Sequence, residues 1–247
     1  MTNDATQQNQ HHSMQRIDAP EILDSDACSP CDTQAALEVI GRVNRWFGGI
    51  ATTQKMVERA ARVTGTTRFS LLEVAAGLGE VPEIARENLA RRGITLDVTL
   101  LDIAPSHLPC RNPAANRAGR NQGVVADALA IPFADGAFDL VSCSLFAHHL
   151  DPLRLKQFVR EGLRVCQRAL LINDLVRHPL HLALVYAGFP IMRNRVAWLD
   201  GLTSVRRAYV PEEIRTALAD DFSPETALQI EISRHYLFRM GVIVWKP

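Results

Sequence analysis

No charge of either sign dominates this chain. Its 27 basic residues balance 27 acidic ones over 247 positions, which removes the electrostatic case for a nucleic-acid or anionic-membrane partner. Long apolar runs are missing too: no stretch approaches the roughly 20 uninterrupted apolar residues of a membrane-spanning helix. The opening MTNDATQQNQHHSMQR lacks the apolar segment of a secretory signal. It reads as a polar, disordered tail, so a cytoplasmic location is expected. Cysteine is sparse and odd in number, five in all, which suits no disulfide scaffold and fits a reducing compartment. Cys28 and Cys31 form an isolated C-S-P-C. A zinc site there needs two further ligands, and a redox pair needs a strand just ahead of it; neither is evident, and no metal is expected. Internal repeats are absent.

What is present is alternation. Apolar side chains recur at Leu37, Ile40, Val43 and Phe47 with helical spacing, and Gly48 and Gly49 stop that helix. Beyond residue 67, short apolar strands alternate with helices. The strands are SLLEVA (70–75), DVTLLD (97–102), GVVA (123–126), FDLVSC (138–143) and ALLIND (169–174). Gly93 ends the first intervening helix, the prolines between 104 and 120 mark a loop, and Asp151 with Pro152 starts the helix before the fifth strand. Such strands imply a parallel sheet covered on both faces. Two further strands, about 226–232 and 235–245, pair through a short link. The expected organisation is a tail (1–20), a helical cap (21–66) and one α/β domain (67–247). Within that domain, apolar helices inserted at about 178–209 cover the site.

The stretch LLEVAAGLGEVP, Leu71 to Pro82, is a strand running into a glycine turn. Gly77 and Gly79 let the backbone bend sharply and approach a ligand, and the following helix presents free N–H groups. A dinucleotide fingerprint requires a third glycine where this chain has Pro82. Asp102, ending the second strand, suits a ribose hydroxyl in either cofactor type. With Asp127 at the end of the third strand, the sheet edge offers Glu73, Asp102 and Asp127. Three acids repel a pyrophosphate and tolerate a cofactor without phosphates.

EVAAGLG (73–79), LLDIA (100–104), ADALAIPFADGAFDLVSCSLFAHHL (126–150) and the strand LLIND, in this order and spacing, resemble the class I S-adenosylmethionine-dependent methyltransferases. The likeness is to the small-molecule branch that methylates quinones, sterols and natural products, and it covers about residues 68–175. It implies a Rossmann-like fold of seven strands, mostly parallel with the last antiparallel; the two C-terminal strands give that count independently. It also implies that Glu73 and the turn from Ala75 through Gly77 to Gly79 face the methionine part of S-adenosyl-L-methionine. Asp102 would then hold the ribose, Ile103 flank the adenine, and Asp127 and Ala128 recognise its amine edge. The family carries glycine where this chain has Ala75, a change tolerable if φ there stays negative.

Methyl transfer needs an aligned nucleophile and, for a weakly acidic acceptor, a base. His149 is the first candidate for a base or substrate-orienting group, and His178 the second. Asp174 can orient a histidine or meet the cofactor's amine. His148 is expected to point away from its neighbour. Arg177 suits an acidic or carbonyl substrate, or an internal ion pair. Arg42 can reach the cofactor carboxylate, and Trp46, Tyr186, Phe189 and Trp198 either line an acceptor pocket or pack in the core. The expected activity is transfer to a small apolar, aromatic or phenolic acceptor, at oxygen, with a quinone-like ring carbon as the alternative. An NAD-linked oxidoreductase and a non-catalytic binding protein of the same fold remain open, as does a homodimer through the apolar segment at 180–192.

Overall fold

The computed structural model describes residues 14–24, 28–108, 122–219 and 228–246. Helices α1 (Pro30–Trp46) and α2 (Gly49–Thr64) precede strand β1 (Arg68–Val74). Then follow α3 (Glu80–Ala90), β2 (Thr95–Asp102), β3 (Gln122–Val125), β4 (Phe138–Ser144), α4 (Pro152–Val165) and β5 (Cys166–Leu175). The chain continues through α5 (Pro179–Ala187), α6 (Phe189–Met192), α7 (Arg195–Arg207), α8 (Pro211–Ala219), β6 (Gln229–His235) and β7 (Arg239–Trp245). Two 3-10 turns, Ile22–Asp24 and Ala147–His149, lie near the functional site.

The seven strands form one sheet ordered β3-β2-β1-β4-β5-β7-β6. All neighbours pair parallel except β7, which runs antiparallel to both β5 and β6. This is the expected Rossmann-like sheet. Its strand order reverses between β1 and β4, where open α/β sheets place their ligand crevice. One face packs against α4 and α8 through Leu155, Phe158, Val159, Ile214 and Leu218; the other packs against α2 and α3 through Met56, Val57, Ala85 and Leu89. Each such side chain taken from water stabilises the fold by about 1.5–3 kcal/mol. Asp151 caps α4, its carboxylate accepting from Leu153 N at 2.8 Å and Arg154 N at 3.0 Å. A third, smaller cluster joins α1 to α7 through Ala36, Val39 and Ala197. It fastens the N-terminal helix and the inserted helices together above the strand ends.

Two readings of the sequence shift. The last hairpin turns at residues 236–238, so β6 and β7 begin three to four residues later than expected. Leu237 and Phe238 take φ of +50° and +61°, left-handed values that no glycine or asparagine announces. Of the expected tail, only residues 14–20 are described, and they lie against the inserted helices. Ile17 N donates to Arg206 O at 3.3 Å, and Arg16 reaches Arg207 O, His148 O and Leu150 O at 2.7, 3.0 and 2.9 Å. The expected loop is described only to Leu108; the rest lies outside the described residues. Among the described residues no helix is long and apolar enough to cross a membrane.

Candidate active site

A cavity of about 730 Å³ opens at the carboxyl ends of β1, β2 and β4 and runs up to the inner faces of α1 and α7. Its floor is the turn after β1. Ala75, Gly77 and Gly79 take φ of +52°, +53° and +70°, so this turn is left-handed at three of five positions. The condition under which alanine would be easily tolerated at position 75, a negative φ, is therefore not met: the bend between β1 and α3 holds this residue in the left-handed region. Gly79 is not at the cavity. A Cβ there would stand 2.5 Å from Leu100 Cδ1, so its role is to let α3 approach β2. At Gly77 a Cβ would meet nothing within 4 Å, and this residue does line the cavity.

Asp102 fastens the turn. Its carboxylate accepts from Gly77 N at 2.9 Å and Ala104 N at 3.0 Å, and its Oδ1 lies 3.4 Å from His107 Nδ1. Burial raises the carboxyl's pKa, but these donors outweigh it and hold the group below its ordinary value. Each oxygen can accept more than one bond, so capacity is left for a ribose. Ile103 lies exposed at the rim, Asp127 accepts from Leu129 N at 2.8 Å, and Ala128 is buried beside it; all three line the cavity. Glu73 is 1% exposed and accepts from the Ser142 hydroxyl on the paired strand. Burial pushes its carboxyl up to about 7, opposed in part by the hydroxyls of Ser142 and Ser144. A buried carboxyl at a cavity wall, faced by hydroxyls alone, is suited to a cationic ligand that would ionise it. The first turn of α3 carries the acids Glu80 and Glu83, paired with Arg45 and Arg86.

The far wall is built by residues distant in sequence. Asp200 on α7 accepts from Ile22 N at 2.7 Å and Leu23 N at 3.0 Å, which fixes the 3-10 turn carrying Glu21 and Asp24. Arg207 donates to Asp24 Oδ2 at 3.0 Å and to His149 O at 2.9 Å, tying this turn to the one after β4. His149 Nδ1 lies 2.9 Å from Asp24 Oδ1. His148 Nδ1 lies 2.7 Å from Asp174 Oδ1, and His148 N donates to Asp174 Oδ2 at 2.9 Å. Burial, the largest influence, pulls the His148 imidazole down, yet Asp174 and Glu21 together hold it above its ordinary value. Glu21 is raised by burial but held low overall by both histidines. The two histidines do not point apart as adjacent residues of a strand would. The 3-10 turn brings their rings to 4.3 Å between centroids, and both edges face Glu21.

Other expected residues fall elsewhere. His178 does not line the cavity: it caps α5, accepting from Leu180 N at 3.1 Å, and stacks on Phe238. The histidine of α5 that does reach the cavity is His181, whose pKa burial pulls down to about 4. Arg177 is bound to Glu213 and to Ala208 O, away from the cavity. Arg42 is exposed. Beside Arg207, a second buried arginine lines the cavity, Arg239 of β7, which donates to Asn44 Oδ1 at 2.5 Å. A lone charge inside the apolar run HYLFRMGVIVW was the available sign of it. Trp46, Tyr186, Phe189 and Trp198 do not line the cavity either; the last three pack on one another. The apolar wall is aliphatic, with Leu37, Ile40, Val43, Val185 and Val205, and Phe146 is the aromatic side chain on it. Glu21 and Asp24 carried no signal in the sequence, since they sit in an aperiodic segment.

Residues 72–169 match the model of a family described as "Methyltransferase domain". No curated protein matches the chain. Among solved structures, the plantazolicin methyltransferase BpumL, in complex with a triazolic desmethylPZN analog and SAH, is 13% identical with a TM-score of 0.65; 91% of this chain and 93% of that one are covered. A SAM-dependent methyltransferase from Aquifex aeolicus is 14% identical with a TM-score of 0.57, covering 89% of this chain and all of that one. An O-methyltransferase family 2 protein from Planctomyces limnophilus, in complex with apigenin, is 17% identical with a TM-score of 0.59; 90% of this chain and 63% of that one are covered. At these identities the structures speak for the fold.

Proposed function

We propose that the chain is an S-adenosylmethionine-dependent methyltransferase whose acceptor is a small aromatic or phenolic molecule methylated at oxygen. The observation that carries the reading is one continuous cavity, with the acid-lined glycine turn at one end and His149 at the other. When bound, the cofactor supplies an electrophilic methyl group on a sulfonium sulfur. Glu73 would meet the positive charge of its methionine part and Asp102 its ribose. Ile103, Asp127 and Ala128 would border the adenine, while Ala75 and Gly77 leave the backbone room to approach. With Nδ1–H donated to Asp24, His149 keeps a lone pair on Nε2. That atom would take the proton of an acceptor hydroxyl as oxygen becomes nucleophilic. The aliphatic wall from α1, α5 and α7 excludes water from the exchange. Two fold neighbours, described with apigenin and with an azole-bearing desmethyl analog, support a flat aromatic acceptor and a natural-product setting. A ring carbon of a quinone-like acceptor is the second reading, since the same base serves it.

The test is formation of S-adenosylhomocysteine by the purified chain over a panel of phenols and hydroxyquinones. His149→Gln is expected to lower kcat by about 10²–10⁴-fold, the range for a lost base, while affinity for S-adenosylhomocysteine stays unchanged. Failure of the folded protein to bind S-adenosylhomocysteine would overturn the reading. Unimpaired turnover by His149→Gln would remove His149 from it.

A further inference from the structure

The Glu21–His148–His149 cluster has a geometry that proton transfer alone does not require. The ligand atoms of the three side chains lie within 4.8 Å of one another. His148 Nε2 is 3.3 Å from Glu21 Oε1, and His149 Nε2 is 3.6 Å from Glu21 Oε2. Neither distance closes a good hydrogen bond, and His148 Nε2 is buried with no hydrogen-bond partner. Both imidazoles are held from behind. Asp174 takes Nδ1 of His148 at 2.7 Å and Asp24 takes Nδ1 of His149 at 2.9 Å. A carboxylate on the outer nitrogen, fixing the tautomer and aiming the inner one, is the usual support of a metal-bound histidine, and here it occurs twice. The carboxylate of Glu21 is steadied in turn by Ser204 Oγ at 2.7 Å.

We propose that Glu21 Oε, His148 Nε2 and His149 Nε2 together bind a divalent transition cation of the zinc class at the inner wall of the cavity. Two imidazoles and one carboxylate form a borderline donor set suited to such ions. Three protein ligands leave coordination positions facing the cavity, as in catalytic rather than structural sites. No sequence spacing announces the set, because Glu21 lies 127 residues before His148 and is brought there by α7, through Asp200, Ser204 and Arg207. Binding of the cation stands apart from the methyl-transfer reading. Its use rests on that reading: an acceptor hydroxyl on the open position would lose its proton more readily, and His149 would then act as a ligand.

The probes are Co²⁺ and Zn²⁺, titrated into the chelator-treated full chain with His11 and His12 changed to Asn so that this sequence pair does not compete. The expected result is one equivalent bound, with a Co²⁺ visible spectrum of low coordination number and no thiolate charge-transfer band. Glu21→Gln should abolish that spectrum. Asp24→Asn, which leaves the ligands in place, should weaken affinity about 10–100-fold. Binding of S-adenosylhomocysteine, measured separately, should survive both changes; its loss in the parent chain would count against the methyltransferase reading and not against the metal. Absence of stoichiometric binding by protein that still binds S-adenosylhomocysteine would overturn the proposal and leave His148 as an ion-paired cation. A thiolate band, pointing to Cys28 and Cys31, would overturn it too, as would affinity unaltered by both substitutions.

Discussion

Replacing Ala75 by glycine is expected to make the protein more stable, against the usual effect of adding glycine. Ala75 sits at φ +52°, where the Cβ of an L-residue crowds the following carbonyl at a cost of about 1–2 kcal/mol. Glycine removes that cost. It also frees the unfolded chain, which takes back about 0.4–1 kcal/mol. The Ala75 methyl is only half-buried at the cavity wall, so little packing is lost. The net is a gain of about 0.5–1 kcal/mol. For a domain of this size that is about 1–4 °C in Tm. Thermal and denaturant unfolding of Ala75→Gly and the parent, side by side, would measure it. The same samples titrated with S-adenosylhomocysteine should bind at least as tightly, because the turn keeps its shape and loses a methyl from the cavity wall. An unchanged or lower Tm, with a two-state transition in both proteins, would refute the reasoning and mean that the left-handed alanine carries no strain.

Four other perturbations separate stability from binding. Glu73 ionises near 7 when folded and near 4.5 in its ordinary state, burial being the main cause. Between those values the unfolded chain gives up the proton and the folded chain keeps it. Stability should therefore fall as pH rises from about 4.5 to about 7, by up to about 3 kcal/mol; denaturant curves of Glu73→Gln across this window should be flatter than the parent's. Gly79→Ala should destabilise by about 2–4 kcal/mol, combining a left-handed alanine with a clash on buried Leu100. Gly77→Ala should cost about 0.5–1 kcal/mol, the strain less the reduced freedom of the unfolded chain, and show its larger effect as weaker S-adenosylhomocysteine binding by calorimetry. Asp200→Ala removes a charged acceptor from Ile22 N and Leu23 N. About 2 kcal/mol of stability and the hydrogen-exchange protection of Ile22 and Leu23 should go with it.

The sheet was legible because each strand is a short apolar run bounded by turn residues, as in LLEVA before Gly77 and FDLVSC after Gly136. The glycine turn and its acids were legible for a related reason: the cavity floor is made by consecutive strand ends, so local order in sequence is order in space. The far wall follows no such rule. Glu21 and Asp24 belong to an aperiodic segment, and their positions are set by Asp200 and Arg207, far along the chain. His148 was misread because a strand's alternation was carried into a 3-10 turn, where neighbours can share a side. His178 and His181 look equivalent in sequence, and only the start of α5 at Pro179 decides that the first becomes a cap while the second reaches the cavity.

The seating of residues 14–24 has a consequence for how the chain acquires its site. Arg16 bonds across 191 positions to Arg207, and Ile22 across 178 to Asp200. On a ribosome adding residues at about 5–20 per second, Glu21 and Asp24 emerge roughly ten seconds or more before the helix that will hold them. Through that interval β1 to β5 are still being synthesised, and the histidine turn stays uncovered until α7 follows them. The inner wall is thus closed only by residues synthesised late, long after the turn that carries Glu21 and Asp24.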